Sequence, residues 1–403
     1  MNLANAILAA LALLSLALAL WQWIAARRFP LHRRAAETGF AAAISLLKPL
    51  KGCDATTAES LQSWLNQNYS GRTQILFGVA DANDPVCEIV REIIAKNPDR
   101  DVQLVICGGS LGANAKVSTL AQLEKLARHD FILVSDADVR VPPDFLASIV
   151  APLCDEKVGL VNCFYRLANP TTTAMRWEAV AINADFWSQV LQSATLKPPD
   201  FALGAAMLVR REALAEIGGF QSLADCLADD YQLGHRIAQN GRRIAFCPVV
   251  AECWDAPMRW RDVWKHQLRW ARTIRVCQPL PYFFSILSNA GFWSLLWLVF
   301  ELTGTTIRTM GFDSSLAYPT ELVVSLQSGA VAAMTCCLIR ILVAYDLEQR
   351  LTRSAAHANY FWLVPVKDLL QAAIWFCAFA GNTVEWRGRK MRLRPDGTLI
   401  EEK

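Results

Sequence analysis

"FILVSDADVRV", residues Phe131 to Val141, is an apolar run that stops at two aspartates held one residue apart. Ile132, Leu133 and Val134 have the composition of a buried strand, and two like charges at its end repel each other, so something must offset them. Working outward, "AISLLKPL", "TQILFGVAD" and "DVQLVIC" are further short apolar runs rich in β-branched residues. Between them "AESLQSWLNQN", "VCEIVREIIAK" and "AKVSTLAQLEKLA" carry apolar residues at helical spacing. Near-continuous apolar strands alternating with amphipathic helices predict a parallel sheet covered on both faces. In such sheets a ligand sits beyond the carboxyl ends of the strands. Asp81 to Asp84 and Asp136 to Asp138 stand there.

Two carboxylates at i and i+2 after a strand can turn toward one oxygen-seeking cation, and Mg²⁺ or Mn²⁺ bridged to a diphosphate is a common use of that arrangement. A D-x-D triplet also arises as ordinary turn chemistry, so the triplet alone decides nothing. "FGVADANDP" repeats the arrangement one strand earlier, where Asn-Asp-Pro reads equally as a turn leading into a helix. In "GANAK", Gly112 permits close backbone approach and Lys116 is either a cation for phosphate or a solvated lysine at a helix start. "CLADDYQLGHRIAQNG" opens a helix with Asp229 and Asp230 and ends it at Gly241. One of these acids suffices to favour the helix dipole, which leaves the other available as a general base. "WRDVWKHQLRWARTIR" sets Trp260, Trp264, Arg269, Trp270 and Arg272 on an amphipathic helix suited to a headgroup layer.

The chain has 403 residues, 53% of them hydrophobic, and a formal net charge of +3. That hydrophobic share is high for a soluble protein, and the small net charge does not indicate nucleic acid as a partner. Leu3 to Ile24 is free of charge and long enough to cross a bilayer. "RRFPLHRR" follows it where a signal peptide would need small residues, so the run reads as an anchor with the next domain cytosolic. Two later runs, "FFSILSNAGFWSLLWLVF" and "ELVVSLQSGAVAAMTCCLIRILVAY", also have crossing length, with the polar "TTIRTMGFDSSLAYPTE" between them. A third, "FWLVPVKDLLQAAIWFCAFAG", is interrupted by Pro365, Lys367 and Asp368, and reads as re-entrant or in-plane rather than as a span with a snorkelling lysine. The twelve cysteines are scattered through apolar runs, as reduced fillers are, and the five histidines have no metal-ligand spacing. The organisation expected is an anchor over 1–26, a cytosolic domain over 40–275, a C-terminal membrane region over 276–386 and a basic cytosolic tail over 387–403.

Taken together, "DANDP", "SDAD", "ADD" and the "RW" of "HQLRW" resemble the ceramide glucosyltransferase family (glycosyltransferase family 21), with its three spaced aspartates and (Q/R)xxRW pattern. The likeness extends to "SLLKPLKG", "GANAKVSTL", "KVGLVN", "LVRREAL", "GGF" and "RGRKMRLR", and so covers most of the chain. It implies a GT-A fold between N-terminal and C-terminal transmembrane helices, in a multi-pass protein of a bacterial inner membrane whose GT-A domain is cytosolic. It implies a UDP-sugar donor and a membrane lipid acceptor, ceramide or, as in bacterial hopanoid-associated members, a hopanoid polyol. Carried onto this chain, the family's three aspartates fall on Asp84, Asp136 and the base, Asp230. Asp136 and Asp138 would share Mg²⁺ or Mn²⁺, while Lys116 and His266 would contact the donor. Arg269 and Trp270 are the RW pair, with His266 in place of Gln or Arg. A processive polysaccharide synthase and a non-catalytic membrane scaffold remain as alternatives. The absence of GxGxxG after the first strand argues against a nucleotide-dependent oxidoreductase.

Overall fold

The computed structural model describes residues 3–34, 40–310, 320–354, 356–386 and 389–401. Positions 311–319, most of the polar stretch expected between two spans, lie outside the described residues. Two compact units divide the chain. The sheet unit comprises Phe29–Thr172, Ser193–Lys265 and Asn382–Lys403, and the helical unit Met1–Arg28, Thr173–Gln192 and His266–Gly381. The expected contiguous domain over 40–275 is therefore interrupted, because residues 173–192 and those after Lys265 pack with the helical unit.

The sheet unit is built on eight strands: β1 (Ile44–Leu50), β2 (Thr73–Val79), β3 (Asp101–Ile106), β4 (Phe131–Ser135), β5 (Val139–Arg140), β6 (Val158–Leu167), β7 (Ala206–Arg210) and β8 (Arg243–Cys253). Their order is β3-β2-β1-β4-β7-β6-β8-β5. The expectation of a parallel sheet holds for β3, β2, β1 and β4 and again for the β6–β8 pair, and fails at β7, which runs antiparallel to both β4 and β6, and at β5, antiparallel to β8. The physical reason is that "AMLVR" of β7, buried at four of its five positions, has the same apolar composition in either direction. Both faces are covered. Leu46, Phe77 and Leu133 pack with Trp64, Val86 and Val90 on one side, and Leu47, Leu76 and Ile132 with Val117, Leu120 and Leu123 on the other. The run expected as a basic tail is folded instead, as an antiparallel sheet of β9 (Thr383–Trp386), β10 (Arg389–Leu393) and β11 (Leu399–Glu401). Met391 and Leu393 alternate with exposed Lys390 and Arg392 along β10, so one face is buried and the other is basic.

In the helical unit, helix Leu3–Arg28 at about 1.5 Å per residue is long enough to cross a bilayer. Residues Ser328–Thr352 form a second apolar helix of crossing length. Ala12 and Leu16 of the first pack against Trp297, Ala333 and Cys336, with the small Ala12 and Ala333 allowing close helix approach. The run expected as a single span before them is bent by 48° between Pro279–Ser288 and Ala290–Thr303. The third apolar run forms helix Leu363–Ala378, of 16 residues. Its Lys367 does not snorkel: it is 4% exposed and pairs with Asp368 and Asp185 inside the unit.

Candidate functional site

In the sheet unit Asp84 follows the carboxyl end of β2, Asp136 and Asp138 follow that of β4, and Asp229 and Asp230 open helix Asp229–Gln239. Asn114 caps helix Ala115–Glu124 by accepting from the Val117 N–H at 3.2 Å, while its own amide donates to the Cys226 carbonyl at 2.8 Å. A Cβ on Gly112 would meet the Ala224 carbonyl oxygen at 2.6 Å, so the glycine's close approach is to backbone. These contacts draw the start of that helix toward helix Asp229–Gln239, and Lys116 lies between the two acidic pairs. Its Nζ is 2.7 Å from Asp136 Oδ1 and 3.1 Å from Asp229 Oδ2, with the residue only 8% exposed. Burial works against the ammonium, yet Asp136 and Asp229 outweigh it and hold the Lys116 pKa above the usual lysine range.

Asp230 is the neighbouring acid. Its Oδ1 accepts from the Tyr231 N–H at 2.7 Å. Burial first, and then Asp229, push its carboxyl up to about 6, with Lys116 opposing. A Cβ on Gly204 would stand 2.8 Å from Asp230 Oδ2, so only glycine leaves that oxygen its room. Asp138 is also held above the carboxylate range, by burial first and then by Asp136 and Asp255, with Lys48 opposing. Lys48 projects from β1 and is fully buried. Its Nζ donates to Ser135 Oγ at 3.1 Å, to the Asp136 carbonyl, and to the Val139 carbonyl at 3.4 Å. The lysine thereby pins both ends of the Asp136–Asp138 turn. Burial lowers its pKa, and the nearby Asp138 and Asp136 offset part of that.

Asp84 is engaged elsewhere on the same edge. Both of its oxygens accept from the Gly52 N–H, at 3.0 and 2.9 Å, and Oδ1 also accepts from the Val86 N–H at 3.0 Å. Gly52 has φ +68, which a glycine adopts without strain. Asp84 thus ties the loop after β1 to the start of helix Val86–Lys96.

Lys116, Asp136, Asp138, Asp229 and Asp230 are gathered in the sheet unit. His266, Arg269 and Trp270 belong to the helical unit, on the part of helix Trp260–Cys277 that follows Lys265. There the His266 and Trp270 rings meet edge to face, with centroids 4.6 Å apart, and Phe186 lies 6.3 Å from Trp270. The Arg269 carbonyl accepts from Thr273 Oγ1 at 2.8 Å.

Two residues of the sheet site escape a reading by motif. Lys48 had a signal, since a lysine inside a fully apolar run must be paired if the run is buried. Asp255, just after β8, had only the general signal of an acid at a strand end. The donor set suits a hard divalent cation, because Asp136, Asp138 and Asp255 offer only oxygen, and Asp136 and Asp255 both act electrostatically on Asp138. No cluster of three His, Cys, Asp or Glu ligands is preformed among the described residues, so a cation would draw these side chains together.

The profile of glycosyl transferase family 21 matches residues 7–399. Ceramide glucosyltransferase 1 of Caenorhabditis elegans is 22% identical over 54% of this chain and 46% of its own length. A beta-monoglucosyldiacylglycerol synthase of Trichormus variabilis is 26% identical over 60% of this chain and 51% of its own. The chain thus spans about half the length of the curated relatives it matches. Among solved structures, a mannosyltransferase of Pyrobaculum calidifontis in complex with GDP-Man and Mn²⁺ superposes with a TM-score of 0.53 at 21% identity, covering 83% of this chain and 98% of that one. That likeness identifies the fold as GT-A.

Proposed function

Because the chain belongs to glycosyl transferase family 21, we propose that it moves a sugar, glucose or N-acetylglucosamine, from a UDP-sugar to a lipid hydroxyl, with inversion at the anomeric carbon. The acceptor is ceramide or a hopanoid polyol, and transfer takes place at the cytosolic leaflet of a bacterial inner membrane. The observation that carries this reading is the Lys116-bridged pair of acidic groups, Asp136 with Asp138 and Asp229 with Asp230, at the carboxyl edge of the sheet.

Asp136 and Asp138 would hold Mg²⁺ or Mn²⁺, which when bound offsets the charge developing on the departing diphosphate. Asp230 accepts the proton of the lipid hydroxyl. The O–H bond breaks as the oxygen bonds to the anomeric carbon, and the bond from that carbon to the diphosphate oxygen breaks with its electron pair leaving on UDP. A carboxyl held up to about 6 is a stronger base than an ordinary aspartate and is still ionised at neutral pH. Asp84, tied to Gly52, keeps lone pairs for donor hydroxyl or N–H groups. Lys116, Arg269 and His266 are assigned to the donor, Arg269 countering diphosphate charge, and Trp270 to the acceptor. Arg27 and Arg28, at the end of the first apolar helix, support the cytosolic orientation.

The test is UDP release from labelled UDP-sugars by the full chain in bilayers containing ceramide or a hopanoid polyol, with and without Mn²⁺ or Mg²⁺. One sugar per lipid, lost in Asp230→Asn with UDP binding retained, is the expected result. A product of many sugars would replace this reading with a processive synthase, and no release from any donor with a non-catalytic scaffold.

A further inference from the structure

Glu178, on helix Thr173–Val180 of the helical unit, is a carboxylate with 1% of its surface exposed. Its Oε1 lies 2.8 Å from His266 Nδ1 and 2.8 Å from Gln267 Nε2. Its Oε2 is buried and has no partner among the described residues. Burying such a group is costly unless donors reach it, and here two successive residues of helix Trp260–Cys277 converge on one oxygen. Gln267, 5% exposed, can approach that oxygen only as a donor through its amide N–H, so Oε1 is the accepting oxygen. Nδ1 of His266 must then carry the proton it shares with Oε1. In the neutral ring that fixes the tautomer and leaves Nε2 as the nitrogen with a free lone pair. Trp270 lies edge-on to the imidazole at an interplanar angle of 61°, which restricts the ring from a second side.

This changes the chemistry of the first position of the (Q/R)xxRW pattern. Gln and Arg both present N–H donors there, whereas an imidazole with Nδ1–H turned inward presents an acceptor. From this arrangement, and resting on the transfer reading above, we infer that Glu178 is a positioning residue that makes His266 an acceptor for a ligand hydroxyl, on either the transferred sugar or the lipid. The diphosphate, which carries only acceptors, is not its partner.

The experiment uses the full chain in lipid nanodiscs and compares the parent with Glu178→Ala, His266→Ala, the double variant and Glu178→Gln. In each, kcat, the KM for UDP-sugar, the KM for lipid acceptor and the thermal unfolding midpoint are measured. Glu178→Ala and His266→Ala should each raise the KM of the same one substrate about tenfold, the size of one lost hydrogen bond, with no further loss in the double variant. Glu178→Gln keeps an oxygen for Nδ1–H and should recover most of the affinity. A rise in the KM of the UDP-sugar identifies a sugar hydroxyl as the ligand, and a rise in that of the lipid an acceptor hydroxyl. Losses that multiply in the double variant, or a Glu178→Ala protein with both KM values unchanged, would overturn the inference. If the parent transfers no sugar at all, the function proposed above fails by itself. The unfolding midpoints then decide the clamp: shifts that do not add support it, and additive shifts refute it.

Discussion

Lys116 Nζ lies 2.7 Å from Asp136 Oδ1, so a cation of the protein itself already stands at the proposed metal seat. Its second carboxylate, Asp229 at 3.1 Å, makes it a strut between Asp136, proposed to hold the metal, and the pair that contains the proposed base, Asp230. Lys116→Met removes the strut's charge and frees Asp136 from it. UDP should then bind about tenfold more weakly, the size of one lost charge-assisted hydrogen bond. The Mn²⁺ concentration giving half-maximal binding should fall, because the metal no longer competes with the ammonium. Titration calorimetry with UDP and Mn²⁺ checks both. Unchanged UDP affinity would reduce Lys116 to a tether between carboxylates.

Asp230 yields a pH dependence. Its carboxyl is held up to about 6 by burial and then by Asp229, so the proposed base is ionised above that pH and neutral below it. For the free enzyme kcat/KM should decline about tenfold per pH unit on the acid side of about 6. Asp229→Asn removes a like charge that raises the Asp230 pKa, so the acid limb should move to lower pH. A limb that stays in place or moves upward would mean that Asp229 does not set the value.

How much of this was legible in the sequence depended on the kind of interaction. Strand runs and amphipathic helices are written in local hydrophobic period, and Ile44–Leu50, Phe131–Ser135 and Val86–Lys96 appear where that period puts them. Strand direction is not local. The reversal at Ala206–Arg210 follows from which neighbours complete the sheet, and the five residues carry no mark of it. The acidic groups were visible as local motifs, after strands and at a helix start, but the contacts of Lys116 join positions 20 and 113 residues apart, as the numbering shows. Glu178 was hidden for the same reason, since its partners His266 and Gln267 are 88 and 89 positions away.

Gly204 bears on Asp230, the proposed base, through space alone. A methyl group there would stand 2.8 Å from Asp230 Oδ2, closer than side-chain carbons approach an oxygen. Gly204→Ala should therefore displace the Asp230 carboxylate and lower kcat by about a hundredfold, the order lost when a catalytic group is misplaced by an ångström. UDP affinity should stay close to that of the parent. Turnover within a factor of two of the parent would show that Asp230 can shift without consequence, and would count against its role as base.

The helical unit makes a separate demand on stability. Arg340, 5% exposed, reaches Asp185 at 2.8 Å and grips Asp368 through Nε and Nη2, both at 2.9 Å. Lys367 pairs with the same two acids, so two cations balance two carboxylates. Asp368 Oδ2 also accepts from the Gly291 N–H at 3.1 Å, an approach that a side chain at 291 would block. Arg340→Met leaves one negative charge uncompensated in a buried place. Breaking such a pair costs about 3–5 kcal/mol, enough to lower the thermal midpoint and the yield of folded protein sharply. Adding Asp185→Asn restores the balance between Lys367 and Asp368, so the double variant should be more stable than Arg340→Met alone. A double variant less stable than the single one would show that the geometry of the Asp185 contacts, rather than the count of charges, governs the network.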